Sequence, residues 1–368
     1  MKLPLLLTCL TVLAFATPSF AQQRDLLDGF RRGINLSHWY AQTMVGHYDE
    51  SHLSTYFTEA DAQKVADMGF DHVRLTLNQT VLFDADNPGT LNAGRLELMR
   101  PRVRWFLDRD VNVIIDLHPD DHYKEALLQA EHADAFVKDW RALAEAFADM
   151  PVEHLAFEIM NEPKPQWEVG PWSELQGRAL AAIREVAPDH TVVVNAGDWT
   201  GVDSLPKMTP YDDPNVLYTF HFYGPFFYTH QSASWAPKPV EGMADVPWLM
   251  DPDTPDEVIR GMVSSDEGFE WLRGAVTRGD FTIERMRGDF DDLAAWAEQH
   301  DVPVYLGEFG VYTKAGKREH RLAWLEFVRT EAESRGWGWA MWDYAGGFRV
   351  VEGEDRTPDE ELLEALGL

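Results

Sequence analysis

Two short stretches of this 368-residue chain join an apolar run to an acid. Leu155 to Pro163 reads LAFEIMNEP, a greasy run that stops on Asn161, Glu162 and Pro163. Val302 to Gly310 reads VPVYLGEFG, which has the same grammar and ends on Glu308. A run this apolar predicts a strand buried on both faces inside a parallel sheet. In an α/β barrel, polar groups at the carboxyl ends of such strands stand where the chemistry is done. Two glutamates so placed predict an acid and a nucleophile facing one bond.

The elements that must hold them alternate. Strands are expected at Arg32 to Ser37, Asp71 to Leu77, Val111 to Leu117 and within the Leu155 stretch. Four more are expected at Thr191 to Asn195, Asn215 to Phe220, Val302 to Gly307 and Gly336 to Trp342. Between them lie helical patterns, the first capped by Thr58 with Asp61 three residues on and stopped by Gly69. Others run from about Asn92 to Arg109 with a kink at Pro101, Glu131 to Asp149, Trp172 to Val186, Thr282 to Gln299 and Lys317 to Ser334. A short helix from Asp359 to Leu366 closes the chain, and the crossover after the fifth strand is the least regular. Gly224 to about Phe281 is rich in Pro, Gly, Trp and Phe, and too long for a structureless loop. It reads as a folded excursion over one face after strand six. No repeat or linker marks a second module, so residues 22–368 are expected to form a single (β/α)8 TIM barrel.

Composition narrows the partners. Lys plus Arg total 32 against 62 Asp plus Glu, a formal net charge of −30. Such a surface repels nucleic acid and anionic lipid and suits a neutral partner. Residues 1–21, MKLPLLLTCLTVLAFATPSFA, have the form of a secretory signal, with Lys2 before an apolar middle and Ser19-Phe20-Ala21 as the cleavage site. A secreted or periplasmic chain without membrane attachment is therefore expected, and a monomer. Cys9, the only cysteine, lies inside that segment, so core burial must stabilise the exported chain without disulfides.

Taken in strand order, the polar residues are Arg74, His118, Asn161, Glu162, His221, Tyr223, Glu308 and Trp342. This set resembles glycoside hydrolase family 5, the family of cellulases and mannanases, over nearly the whole exported chain. The resemblance implies that Glu162 is the acid/base and Glu308 the nucleophile of a retaining glycosidase. It also implies that Arg74 and Tyr223 hold Glu308 and that Asn161 binds the sugar 2-hydroxyl. His118 and His221 would line the catalytic subsite, and Trp342 would floor it. Retention needs one protonated carboxyl and one carboxylate about 5–5.5 Å apart. Arg74 is expected to lower the pKa of Glu308, and a less polar setting to raise that of Glu162. A structural ion pair is the plain alternative for Glu162, Glu308 and Arg74, and backbone satisfaction for the two histidines.

No metal or cofactor is expected. The segment HPDDH, His118 to His122, matches no defensible zinc spacing. Trp39, Trp167, Trp172, Trp199, Trp235 and Trp248 are candidates for stacking on sugar faces, or for packing under loops. The resemblance implies a β-glycanase, first an endo-β-1,4-glucanase acting on soluble or amorphous β-glucan. A β-1,3-glucanase, β-mannanase or xyloglucanase shares the same chemistry. A non-catalytic carbohydrate-binding barrel would keep the aromatics and lose a glutamate, and a metal-dependent barrel hydrolase would be exposed by chelation.

Overall fold

Strands that are apolar on both faces need a core on each side, and a closed barrel supplies both. The computed structural model describes residues 25–164 and 169–368; the expected signal segment and Trp167 lie outside the described residues. Eight parallel strands close in sequence order: β1 (Arg32–Tyr40), β2 (His72–Leu77), β3 (Asn112–Leu117), β4 (Leu155–Glu158), β5 (Thr191–Val194), β6 (Val216–Phe222), β7 (Val304–Phe309) and β8 (Gly338–Met341). β1 pairs with both β2 and β8, which completes the ring.

The strands alternate between the two cores. Ile114, Ala156, Val193, Leu217, Tyr305 and Ala340 pack with Leu27 and Phe30 in one small cluster inside the ring. Their neighbours Val113, Ile115, Phe157, Val192, Val194, Val216, Tyr218 and Leu306 belong to the larger cluster under the helices. Two residues beyond the inner layer come Asp116, Glu158, Asn195 and Thr219, all buried. A strand repeats its facing every second residue, so this second layer is polar and faces the first's interior. Two residues further still stand His118 and His221. The barrel thus has an apolar floor, a buried polar layer and a functional rim.

β7 breaks the alternation. Phe220 pairs with Leu306, but His221 pairs with Glu308, so β7 carries one residue more than β6. On its other side Leu306 pairs with Trp339 and Phe309 with Met341, the same one-residue excess. This is a β-bulge at Gly307, and it turns Glu308 inward when strict alternation would place it on the Leu306 face. Only glycine fits, because a Cβ there would lie 2.5 Å from Thr219 Oγ1.

The helices follow the expected pattern with shifted ends. Thr58 and Asp61 form a reciprocal capping box on helix Glu59–Asp67, and helix Ala93–Leu107 continues through Pro101. After β5 the described chain forms two single-turn 3-10 helices, Asp198–Thr200 and Leu205–Lys207. The excursion after β6 holds four helices, of which Asp266–Thr277 is the longest. It is folded against the barrel through buried Tyr228, Val240, Met243, Val246 and Leu272. A small antiparallel pair, Val351–Glu352 with Thr357–Pro358, was not foreseen. His221 and Glu308 lie inside β6 and β7, where the sequence reading placed them after the strands. β4 by contrast ends at Glu158, leaving Asn161 and Glu162 in the loop that follows.

Gly307→Ala should destabilise the fold by about 1–3 kcal/mol, the usual cost of overpacking a tight interior. Denaturant unfolding of the two proteins checks this; an unchanged midpoint would mean that the bulge tolerates a side chain.

Candidate active site

Arg74 stands at the centre of the polar layer and is fully buried. A guanidinium has five N–H donors, and all five are used. Nε donates to Glu158 Oε2 at 2.7 Å, and Nη2 to Glu158 Oε1 at 2.9 Å. Nη1 donates to Glu308 Oε1 at 2.7 Å and to Asn35 Oδ1 at 2.9 Å. Nη2 also donates to Asn161 Oδ1 at 2.9 Å. Asp116 Oδ2 lies 3.1 Å from the same Nη2, which makes three carboxylates around one cation.

Glu308 is held on both oxygens. Arg74 reaches Oε1, and Tyr223 Oη donates to Oε2 at 2.9 Å. Glu162 is held differently. It sits at φ +44°, a left-handed conformation that costs a non-glycine residue energy and collects at functional sites. Its side chain is 25% exposed against 5% for Glu308, so solvent and ligand reach Glu162 first. His221 Nδ1 bridges the pair, 2.9 Å from Glu162 Oε1 and 3.5 Å from Glu308 Oε2. One oxygen of each carboxylate and a nitrogen of His221 all lie within 4.8 Å of one another. Among the described residues this is the one such group of acids and imidazoles close enough to share a cation.

The expected lowering of the Glu308 pKa does not hold. Burial pushes Glu308 above the ordinary carboxylate range, and His221 and Arg74 oppose it only in part. The pairwise expectation failed because loss of water around the buried carboxyl outweighs the pull of Arg74, and the charge of Glu162 adds to the rise. Glu162 is likewise raised by burial, with Lys124 the largest opposing charge. Burial drives His221 down to about 4 and His118 well below its usual value, so both imidazoles are neutral near pH 7. Asp116 is pushed up to about 7 by burial, against the pull of Arg74.

The remaining predicted residues converge on the same rim. His118 Nδ1 lies 2.9 Å from Asp116 Oδ2, and its Nε2 lies 3.1 Å from Asn161 Nδ2. Trp342 stacks on the His118 ring with centroids 5.5 Å apart and planes 20° from parallel. All eight predicted side chains therefore meet at one end of the barrel.

The aromatics divide. Trp39 and Trp172 are fully buried, with indole N–H groups donating to Leu53 O and to Asn195 Oδ1. Both are core residues. Trp248 packs on Phe327. Trp199 and Trp235 are 42% and 58% exposed and remain free to meet a ligand. In the HPDDH segment, Asp120 caps helix Asp121–Ala126 and accepts from Tyr123 N and Gln79. Its carboxylate serves the loop.

Sequence reasoning missed Asn35, Asp116 and Glu158, the buried partners of Arg74 and His118. A signal existed, since each is a polar residue inside an otherwise apolar strand run. It also missed Lys124, a buried cation on helix Asp121–Ala126 that lies 5.9 Å from the Trp199 ring.

Residues 37–347 match the family model described as cellulase, glycosyl hydrolase family 5. Endoglucanase C of Acetivibrio thermocellus is 28% identical over 345 residues, covering 92% of this chain and 98% of that protein. Among solved structures, a hyperthermophilic endo-β-1,4-glucanase in complex with substrate superposes with a TM-score of 0.77 at 27% identity, covering 93% of this chain and 98% of that one. Thermotoga maritima Cel5A in complex with mannotriose does so with a TM-score of 0.72 at 26% identity and the same coverage.

Arg74→Met should cost about 3–5 kcal/mol, because it strands buried carboxylates without a cation. Those carboxylates, already raised by burial, would then lose the pull of Arg74 and rise further above their unfolded values. The folded state holds the extra protons, so stability falls as pH rises. The deficit should thus be largest near pH 7 and shrink toward about pH 4, the ordinary carboxyl range. Thermal unfolding across that window checks it; a deficit that grows at low pH would contradict the assignment.

Proposed function

The chain belongs to glycosyl hydrolase family 5, the cellulase family, and from that premise we propose that it is a retaining endo-β-1,4-glucanase acting on soluble or amorphous β-glucan. The observation that carries this reading is the approach of Glu162 and Glu308, whose nearest carboxylate oxygens lie within 4.8 Å. Retaining glycosidases place their carboxyl groups about 5–5.5 Å apart, and inverting ones about 6.5–9.5 Å apart to admit a water.

The surroundings support one division of roles. Glu308 accepts two strong hydrogen bonds, from Arg74 and Tyr223, which favour its ionised form. It is therefore the nucleophile, attacking the anomeric carbon as the glycosidic C–O bond breaks. Glu162 has no guanidinium hydrogen-bonded to it and burial raises its pKa, so it holds the proton, and its greater exposure lets it deliver that proton to the departing oxygen. Once the glycosyl–Glu308 ester forms, the charge on Glu308 is gone, and Glu162 takes a proton from the water that hydrolyses the ester. Asn161 faces the 2-hydroxyl, where hydrogen bonding strengthens in the oxocarbenium-like transition state. Trp342, stacked on His118, offers its ring to the apolar face of the reacting sugar. The chemistry needs no metal or cofactor.

Exposed Trp199 and Trp235 support binding of a longer glucan chain, and hence internal cutting. The neighbour solved with mannotriose keeps β-mannan as the second reading. Residues 1–21 support export to the periplasm or beyond.

A panel of carboxymethylcellulose, mixed-linkage glucan, laminarin, mannan and xylan, with product sizes read out, tests the substrate. The reading expects a rapid fall in viscosity on the β-1,4-glucans, and faster cleavage of mannan than of either would overturn it. Glu162→Ala should lower kcat by about 10²–10⁴-fold on substrates with poor leaving groups. Glu308→Gly should be inactive until azide is added, and should then release an α-glycosyl azide.

The pH profile follows from the same assignment. Glu308 must be ionised, so the rate falls as pH drops through its pKa; Glu162 must be protonated, so the rate falls as pH rises through its own. Burial raises both. A plot of kcat/KM should therefore be bell-shaped with its acid limb above about pH 4.3, the ordinary glutamate value. Glu162→Ala should abolish the alkaline limb on a substrate with a good leaving group.

A further inference from the structure

Asp116 is an acid that the catalytic assignment does not use. It lies on β3 with no exposed surface, paired in register with Glu158 on β4. Its Oδ2 meets His118 Nδ1, and its Oδ1 is buried with no hydrogen-bond partner. A buried carboxylate with a bare oxygen is costly, and such a group calls for an explanation.

The hydrogen-bond directions around it are forced from one end. Arg74 can only donate, so the atom of Asn161 that faces Nη2 must be the amide oxygen. The amide nitrogen therefore faces His118 Nε2 and donates to it across 3.1 Å. His118 Nε2 must then carry no proton, and since burial keeps the ring neutral its proton is on Nδ1. That N–H donates to Asp116 Oδ2. The second N–H of Asn161 has no protein acceptor among the described residues and is the donor left for a sugar hydroxyl.

Without Asp116, the Nδ1–H would lose its acceptor. The ring could then shift its proton to Nε2, setting two donors against each other at Asn161. The amide would be driven to turn over, placing its NH2 against Arg74. A carboxylate at position 116 removes that alternative.

We propose that Asp116 is a positioning residue for the glycosidase reaction: through the His118 tautomer it fixes the direction in which the Asn161 amide meets the sugar 2-hydroxyl. The inference rests on the proposed retaining mechanism. It predicts an effect specific to one hydroxyl, which a general loosening of the barrel would not produce.

The test compares an aryl β-cellobioside with its analogue lacking the 2-hydroxyl on the reacting ring. Wild type, Asp116→Ala, Asp116→Asn, Asn161→Ala and the Asp116→Ala/Asn161→Ala double variant are assayed on both. Asp116→Ala should lose about 10–100-fold in kcat on the complete substrate, with little change in KM, as misplaced supporting contacts do. On the 2-deoxy substrate its deficit should fall below about 3-fold, and the double variant should be no slower than Asn161→Ala. Asp116→Asn, whose amide oxygen can still accept from Nδ1, should recover most of the rate. Equal losses on both substrates, or no loss on either, would overturn the proposal.

If wild type itself fails to cleave the cellobioside, or ignores the missing hydroxyl, it is the mechanism that fails and not the relay alone. Should the position-116 variants not fold, nitrogen-15 NMR of wild type, assigned with His118→Gln, decides the matter. A protonated Nδ1 and bare Nε2 on His118 between pH 5 and 8 support the proposal, and the opposite tautomer or an imidazolium overturns it.

Discussion

One guanidinium organises this molecule. Arg74 lies at the centre of the polar layer with every donor engaged, and each bond fixes a different part of the rim. Glu308 and Asn161 are held directly. Through Asn35, whose amide donates to Gly307 O at 3.0 Å, the same cation braces the bulge that turns Glu308 inward. Such a cluster is a poor device for stability, since apolar side chains of equal volume often serve better. What it supplies is direction. A planar cation with five fixed donors leaves its partners few alternative arrangements.

The backbone meets the same demand twice. At Gly307 an extra residue changes the facing of β7. After β4 the chain enters a left-handed conformation at Glu162. Trp199 N then donates to Pro163 O at 2.8 Å, tying the loop after β5 to the loop that carries Glu162. Asp198, Trp199 and Thr200 are themselves left-handed. These irregularities bring together a carboxylate on β7 and one on the loop after β4, while the inner floor beneath stays apolar.

How much of this the sequence disclosed follows from where periodicity holds. On β3 and β6 the alternation is unbroken: Ile114, Asp116 and His118 share the interior, as do Leu217, Thr219 and His221. Those rim residues were legible from spacing and strand ends. On β7 strict alternation points Glu308 away from the site, and no local feature except a glycine announces the bulge, so its role came from the resemblance. The acids at 116 and 158 were visible as charges inside apolar strands but were passed over for residues at strand ends. Protonation was not legible for a different reason: an arginine beside a glutamate predicts a lowered pKa, whereas the dry interior raises it by more than the cation lowers it. Nor does sequence distinguish the indoles of Trp39 and Trp172, which find buried acceptors, from those of Trp199 and Trp235, which stand open.

The account depends on Glu308 being the ionised member of the pair and the atom that bonds to sugar. Incubation with a 2-deoxy-2-fluoro-β-cellobioside bearing a good leaving group, followed by peptide mass spectrometry, observes that bond directly. A glycosyl adduct on Glu308, with Glu162 unmodified, is the predicted result. An adduct on Glu162, or turnover with inverted product and no adduct, would contradict it.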